Sequence, residues 1–275
     1  MTVEFSASTN KGVRRHNRDA FAAGGAASSP AVEHQTAGGC SETGFTVFAV
    51  CDGVGDRESS GDAAVTAAGY IARKAENSPC PENAREAYEW INETLIEAKS
   101  AVFDRQSDKK TAYDSFFRKL QSVITGGKKG VYDTAGSSTV SVLTVFPGGF
   151  LFANCGDSPC FILRGGVLTE LSVRHNAAAD GMDIQLDGGR SAESVLLHDL
   201  KEAPRGIPVF TSAAAGNLNE DAVFLICSDG VTSAVGEDVL AEMLENGAAA
   251  DEITALALSS GSTDNCTAVT VKINI

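Results

Sequence analysis

The sequence predicts an α+β protein built on antiparallel sheets. Short segments rich in β-branched and aromatic residues follow one another across Gly and Pro turns, with no helix between them. Segments with helical periodicity fall in separate blocks. Hydrophobic residues make up 43% of the 275 positions, enough to fill a core and to set disorder aside. The length suits one large domain, and no repeat or linker divides it, so 1–275 is read as a single domain.

The elements follow in order. VEFSAST (3–9) alternates as a strand does, and GFTVFAVC (44–51) is an apolar strand run. SGDAAVTAAGYIARKAEN (60–77) is Ala-rich and opens on Ser and Asp, a helix start. From Glu82 to Arg105, Tyr88, Ile91, Leu95, Ala98 and Val102 recur at steps of three and four, giving one apolar stripe. AYDSFFRKLQSVI (112–124) is read as a further helix, and Gly126-Gly127 with Lys128 and Lys129 as a loop. STVSVLTVF (138–146), GFLFANC (149–155), CFILR (160–164) and VLTEL (167–171) are strands, with FPGG and RGG as the turns between neighbours. Residues 176–221 are rich in Ala, Gly and Asp, and are expected to form a flap over the body, with a short helix near 192–197. AVFLICS (222–228), helices at 236–246 and 250–260, and the strand CTAVTVKINI (266–275) complete the chain.

The formal charge is −14 and the pI about 4.7, which disfavours nucleic acid, whose binding depends on Lys and Arg neutralising phosphates. No apolar run approaches the ~18 residues of a membrane span. The opening MTVEFSASTNKG lacks a basic segment followed by an apolar one, so no secretory leader is expected. Most of the seven cysteines lie in or beside apolar strand runs, and none forms a CxxC pair. Buried free thiols in a reducing compartment, the cytoplasm, are expected rather than disulfides or zinc.

The chemistry lies in acids at strand ends and tight turns. Asp19 stands in RRHNRDAF, Asp52 in CDGVG, Asp157 in NCGDSP, Asp229 in CSDGV and Asp264 in STDNCTAV. A lone Asp-Gly is usually a turn, and each of these alone is weak. If the strands are neighbours, their ends bring the carboxylates together. Two like charges roughly 4 Å apart repel by about 4 kcal/mol at an effective dielectric near 20. One shared proton relieves a pair of acids but not a larger group. Hard divalent cations such as Mg²⁺ or Mn²⁺ do relieve it. Gly53, without a side chain, lets backbone come close to such an ion.

The ordered series GVRRHNRDA, VFAVCDGVGD, GSSTV, NCGDSPCFILRGGVLTELSVRH, FLICSDGV and TDNCTAVTV resembles the metal-dependent serine/threonine protein phosphatases of the PPM (type 2C) class, in their bacterial form. The resemblance runs from about Ser8 to Val271. It implies a four-layer sandwich, two antiparallel sheets flanked by helices on both sides. It implies two or three Mn²⁺ or Mg²⁺ ions, with Asp52 bridging a pair, Asp229 and Asp264 completing the first site and the Gly53 carbonyl serving the second. Asp157 matches a ligand of a third, weaker ion, and Asp19 serves directly or through water. Arg14 matches the arginine that grips the substrate phosphate, a task suited to a planar guanidinium. The reaction implied is hydrolysis of phosphoserine and phosphothreonine in proteins by a metal-activated water, opposing a Ser/Thr kinase.

The match breaks at Arg18, where the family usually has a Glu that serves the second metal. Three consequences stay open: the side chain points to solvent, it occupies part of the site as a substitute charge, or it marks a weakened or inactive enzyme. The expectation is weakened second-metal binding and a need for high Mn²⁺. Asp56, Val54, Pro159 and Arg174 are smaller departures. His175 is expected to be structural; His16, His34 and His198 are expected at the surface. The alternative function is a pseudophosphatase that binds a phosphorylated or regulatory partner without turnover. Arg18 favours it, whereas a pure binding protein has no use for crowded acids. A two-metal nuclease fits the acids but not the charge.

Overall fold

The computed structural model describes residues 1–29, 32–42, 44–54, 58–124, 136–180, 196–201 and 206–275. One sheet is built from β1 (Thr2–Asn10), β4 (His34–Ser41), β9 (Cys160–Arg164), β10 (Val167–Glu170), β12 (Ala222–Cys227) and β13 (Cys266–Asn274). Its order is β10-β9-β12-β13-β1-β4. The other contains β2 (Asp19–Ala23), β3 (Ala26–Ala27), β5 (Thr46–Val54), β7 (Val140–Phe146), β8 (Gly149–Cys155) and β11 (Ser212–Asn217), in the order β11-β8-β7-β5-β2-β3, with the short β6 (Ser137–Ser138) beside β5. Neighbouring strands run antiparallel, as the hairpin spacing predicts.

Period-two alternation sends side chains to two different cores. On β5, Phe48 and Val50 enter the space between the sheets, while Val47, Ala49 and Cys51 face helices. On β12, Phe224 and Ile226 point inward, while Leu225 and Cys227 face the opposite helical layer. Both faces of these strands are therefore buried, which is why VFAVC and VFLIC read as unbroken apolar runs. Aromatic pairs lock the inter-sheet core, Phe5 with Phe48 at 5.4 Å and Phe150 with Phe224 at 4.9 Å between centroids.

Helices α1 (Glu58–Glu76) and α2 (Ala84–Ile124) cover one sheet. Helices α4 (Glu237–Glu245) and α5 (Ala250–Ser259) cover the other. The result is the four-layer α-β-β-α sandwich. The alanines at 63, 64, 67 and 68 are buried on α1, and their small side chains let the helix lie close to the strands.

Several expectations are corrected. The helices read at 82–105 and 112–124 are one continuous α2. Its buried stripe uses Ala87, Trp90, Ile91, Leu95, Ala98 and Val102, whereas Tyr88 is 37% exposed. The expected loop at 126–129 lies outside the described residues. Strands β2, β3, β4 and β11 were not anticipated. They are rich in Ala and Gly, and β11 lies within 176–221 as an edge strand paired with β8. Of the helix expected near 192–197, only Leu196 and Leu197 are described, and Leu196 forms a β-bridge with Asn176. His198 is not a free surface residue: its ring packs on His175 and Phe210. His16 and His34 are exposed, as expected.

Candidate metal centre

Strand register places the first two acids opposite each other, Asp19 on β2 facing Asp52 on β5. Asp229 opens α3 (Asp229–Thr232), a single helical turn after β12, with Ser228 at its N-cap. Asp264 immediately precedes Asn265 and β13. Asp157 follows β8 through Gly156. The sandwich thus gathers at one end the acids that the sequence scatters over most of its length.

Their protonation behaviour shows the crowding. Burial pushes the Asp19 carboxyl up to about 7, although Ser228 and Thr267 hydrogen-bond to it and pull the other way. The Ser228 hydroxyl donates to Asp19 Oδ2 at 2.7 Å. Burial also lifts Asp52 well above the carboxylate range, and the charges of Asp19, Asp229, Asp157 and Asp264 add to it. Asp157 reaches about 7 through burial and the charge of Asp229, offset by a hydrogen bond with Asn176. Asp229 is raised by burial and by Asp264, while a hydrogen bond with Asp52 lowers it. A hydrogen bond between two carboxyls requires a proton on one of them. That proton and the lifted values are what bound positive charge would displace.

Among the described residues, no group of three or more His, Cys, Asp or Glu side chains is arranged to hold a metal ion as it stands. The acids are neighbours in Coulombic range rather than a closed cage. Their chemistry, all-oxygen and negative, nevertheless suits a hard divalent cation.

The glycines at the site make room for neighbouring backbone. A Cβ on Gly53 would stand 2.7 Å from the Ser60 carbonyl group and 2.8 Å from the Arg18 oxygen. On Gly230 it would stand 2.0 Å from the Asn265 oxygen. Both admit neighbouring backbone that fixes the acids in place. The Gly53 N–H donates to the Arg18 carbonyl at 3.1 Å. Asp52 is held similarly: its carbonyl accepts from the Thr139 N–H at 2.8 Å and the Ser138 hydroxyl at 3.0 Å.

Two guanidiniums meet the acids at Asp264. Arg14 Nη2 lies 2.6 Å from Oδ2, and Arg18 Nη2 lies 3.9 Å from Oδ1. The Arg18 side chain is only 12% exposed, so it lies beside Asp264 rather than pointing to solvent. Asp56 lies outside the described residues. Sequence reasoning missed Asn265. It is buried, its Nδ2 donates to the carbonyls of Lys11 and His16, and its Oδ1 accepts from the Arg18 N–H. The only sequence signal was its place beside Asp264. His175 is structural as expected: its Nδ1 accepts the Gly156 N–H at 3.0 Å, so Nε2 carries the proton toward Ser212.

The family model described as "Protein phosphatase 2C" matches residues 34–268. Protein phosphatase 2C 56 of Arabidopsis thaliana is 32% identical over 152 residues, 49% of this chain and 33% of that protein. The chain spans about a third of the length of the curated relatives it matches. Among solved structures, the serine/threonine phosphatase Stp1 from Staphylococcus aureus superposes with a TM-score of 0.70 at 16% identity, covering 99% of this chain and 95% of that one. The catalytic domain of the serine threonine protein phosphatase PstP, solved with two manganese ions, gives 0.66 at 18% identity, covering 100% and 99%. At such identities the likeness is one of fold.

Proposed function

This chain belongs to the protein phosphatase 2C family, and from that premise we propose that it hydrolyses phosphoserine and phosphothreonine in proteins with the help of divalent cations. The observation that carries this reading is the meeting of raised, crowded carboxyls with the Arg14 guanidinium at Asp264. Asp52, the Gly53 carbonyl, Asp229 and Asp264 would hold a pair of Mn²⁺ or Mg²⁺ ions. Asp157 would serve a third ion, and Asp19 would serve directly or through water. When bound, such ions neutralise phosphoryl oxygens and bring the pKa of water to about 7.

The chain's own residues supply position and charge. Arg14 presents paired N–H donors to two phosphate oxygens and orients the ester. Asp19, buried and fixed by Ser228, keeps its carboxyl directly opposite Asp52. The buried Cys51, pushed upward by burial and by Asp19 and Asp52, stays a thiol and is no nucleophile.

The substrates of this reading are phosphorylated proteins, and the opposing enzyme is a Ser/Thr kinase. The net charge of −14 argues against nucleic acid. No helix among the described residues is long and apolar enough to cross a membrane. The free cysteines suit the cytoplasm.

The test is phosphate release from a phosphothreonine peptide across a Mn²⁺ titration, with Asp52→Asn as the blank. Metal-dependent release that falls at least ~100-fold in the blank supports the phosphatase. No release at millimolar Mn²⁺ overturns it in favour of a binding-only protein.

A further inference from the structure

One ion pair joins the two halves of the reaction just proposed. Arg14, assigned to the phosphate, and Asp264, assigned to the cation, hold each other at 2.6 Å. Neither can serve its assigned partner fully while so engaged. The Nη2 donor that faces Asp264 is turned from a phosphate oxygen, and the Oδ2 that accepts it is turned from a cation. The other carboxylate oxygen is occupied as well: Oδ1 takes the Asn265 N–H at 2.8 Å and has Arg18 Nη2 at 3.9 Å. Asp264 is thus faced by positive or donor groups on both oxygens, in keeping with the open arrangement of the acids.

The backbone around the pair is fixed. Asn265 clamps the Arg14 loop from both sides through the carbonyls of Lys11 and His16. The Arg14 N–H also donates to the Lys11 carbonyl at 3.2 Å. Any exchange of partners therefore falls to the side chains, and both are part-exposed, at 36%.

We propose that the Arg14–Asp264 pair is a latch that couples phosphate capture to cation capture. A phosphate that draws Arg14 Nη2 away opens Oδ2 of Asp264 to the cation, and a cation that draws Oδ2 away opens Nη2 of Arg14 to the phosphate. Each ligand then binds more tightly in the presence of the other, by the same factor. The pair is part-exposed, so the factor is modest, about three- to fivefold. The latch rests on the metal-centre reading above.

Mn²⁺ alone is titrated by calorimetry into the full chain, into Arg14→Gln and into Arg15→Gln. Arg15 is exposed and adjacent, so its variant makes the same change in net charge without opening the latch. The latch predicts Mn²⁺ binding about three- to fivefold tighter in Arg14→Gln and unchanged in Arg15→Gln. Equal affinity in all three, weaker affinity in Arg14→Gln, or the same gain in both variants overturns the latch and leaves the metal centre standing. Absence of Mn²⁺ binding in all three overturns the metal centre itself.

Discussion

Asp19 and Asp157 each carry a carboxyl lifted to about 7 from an ordinary 3.8, chiefly by burial. In the metal-free protein the folded state keeps protons that the unfolded chain gives up near pH 4. The stability these groups contribute is full below that point, declines as pH rises, and levels off above about 7. Metal-free protein should therefore lose Tm between about pH 5 and 7 on this account, with a shallower slope in Asp19→Asn, as scanning calorimetry would read. Added Mn²⁺ should raise Tm most at the upper end of that range. A different residue-scale constraint acts at Gly230, where a methyl would stand 2.0 Å from the Asn265 oxygen. Gly230→Ala should cost about 1–3 kcal/mol or more in urea unfolding. The acids themselves were legible, because Asp-Gly after an apolar run is a local pattern. The reason for the glycines was not: the Arg18 oxygen that Gly53 makes room for and the Asn265 oxygen that Gly230 makes room for are far from them in sequence.

Helix α2 shows what periodicity does and does not fix. Leu95 is buried on the stripe, and Leu95→Ala should cost about 2–5 kcal/mol. Tyr88, counted on the same stripe from sequence, is 37% exposed, and Tyr88→Ala should cost under about 1 kcal/mol. Paired urea melts would separate the two. A spacing of three and four admits either Ala87 or Tyr88 as the first inward position, and only packing against the sheet chooses between them. The same limit explains the strands that escaped notice. VFAVC and VFLIC are dense in β-formers, whereas HQTAGGCS and SAAAGN are small and polar and become strands because β1 and β8 offer them an edge. The acid cluster was readable from β5 and β12. The Asp19–Asp52 pairing waits on β2, whose DAFAA carries little strand signal of its own.

The whole molecule buries Cys51, Cys155, Cys160, Cys227 and Cys266 and leaves Cys40 and Cys80 exposed. A thiol reagent should modify the exposed pair quickly in native protein and reach the rest only on unfolding; fast native labelling of all seven would contradict the packing. The sandwich closes late along the chain. β13 lies between β12 and β1, and it pairs with β1 along its full length, from Thr2 opposite Asn274 to Asn10 opposite Cys266. Asn265, which clamps the arginine loop, bonds Lys11 across 254 residues of sequence. During synthesis, then, β1 emerges long before β13, and the arginine loop has no clamp until Asn265 leaves the ribosome. Assembly of the centre therefore waits for the segment that carries Asp264 and Asn265, and a chain interrupted before Asp264 would still set Asp19 opposite Asp52 but leave the arginine loop unclamped.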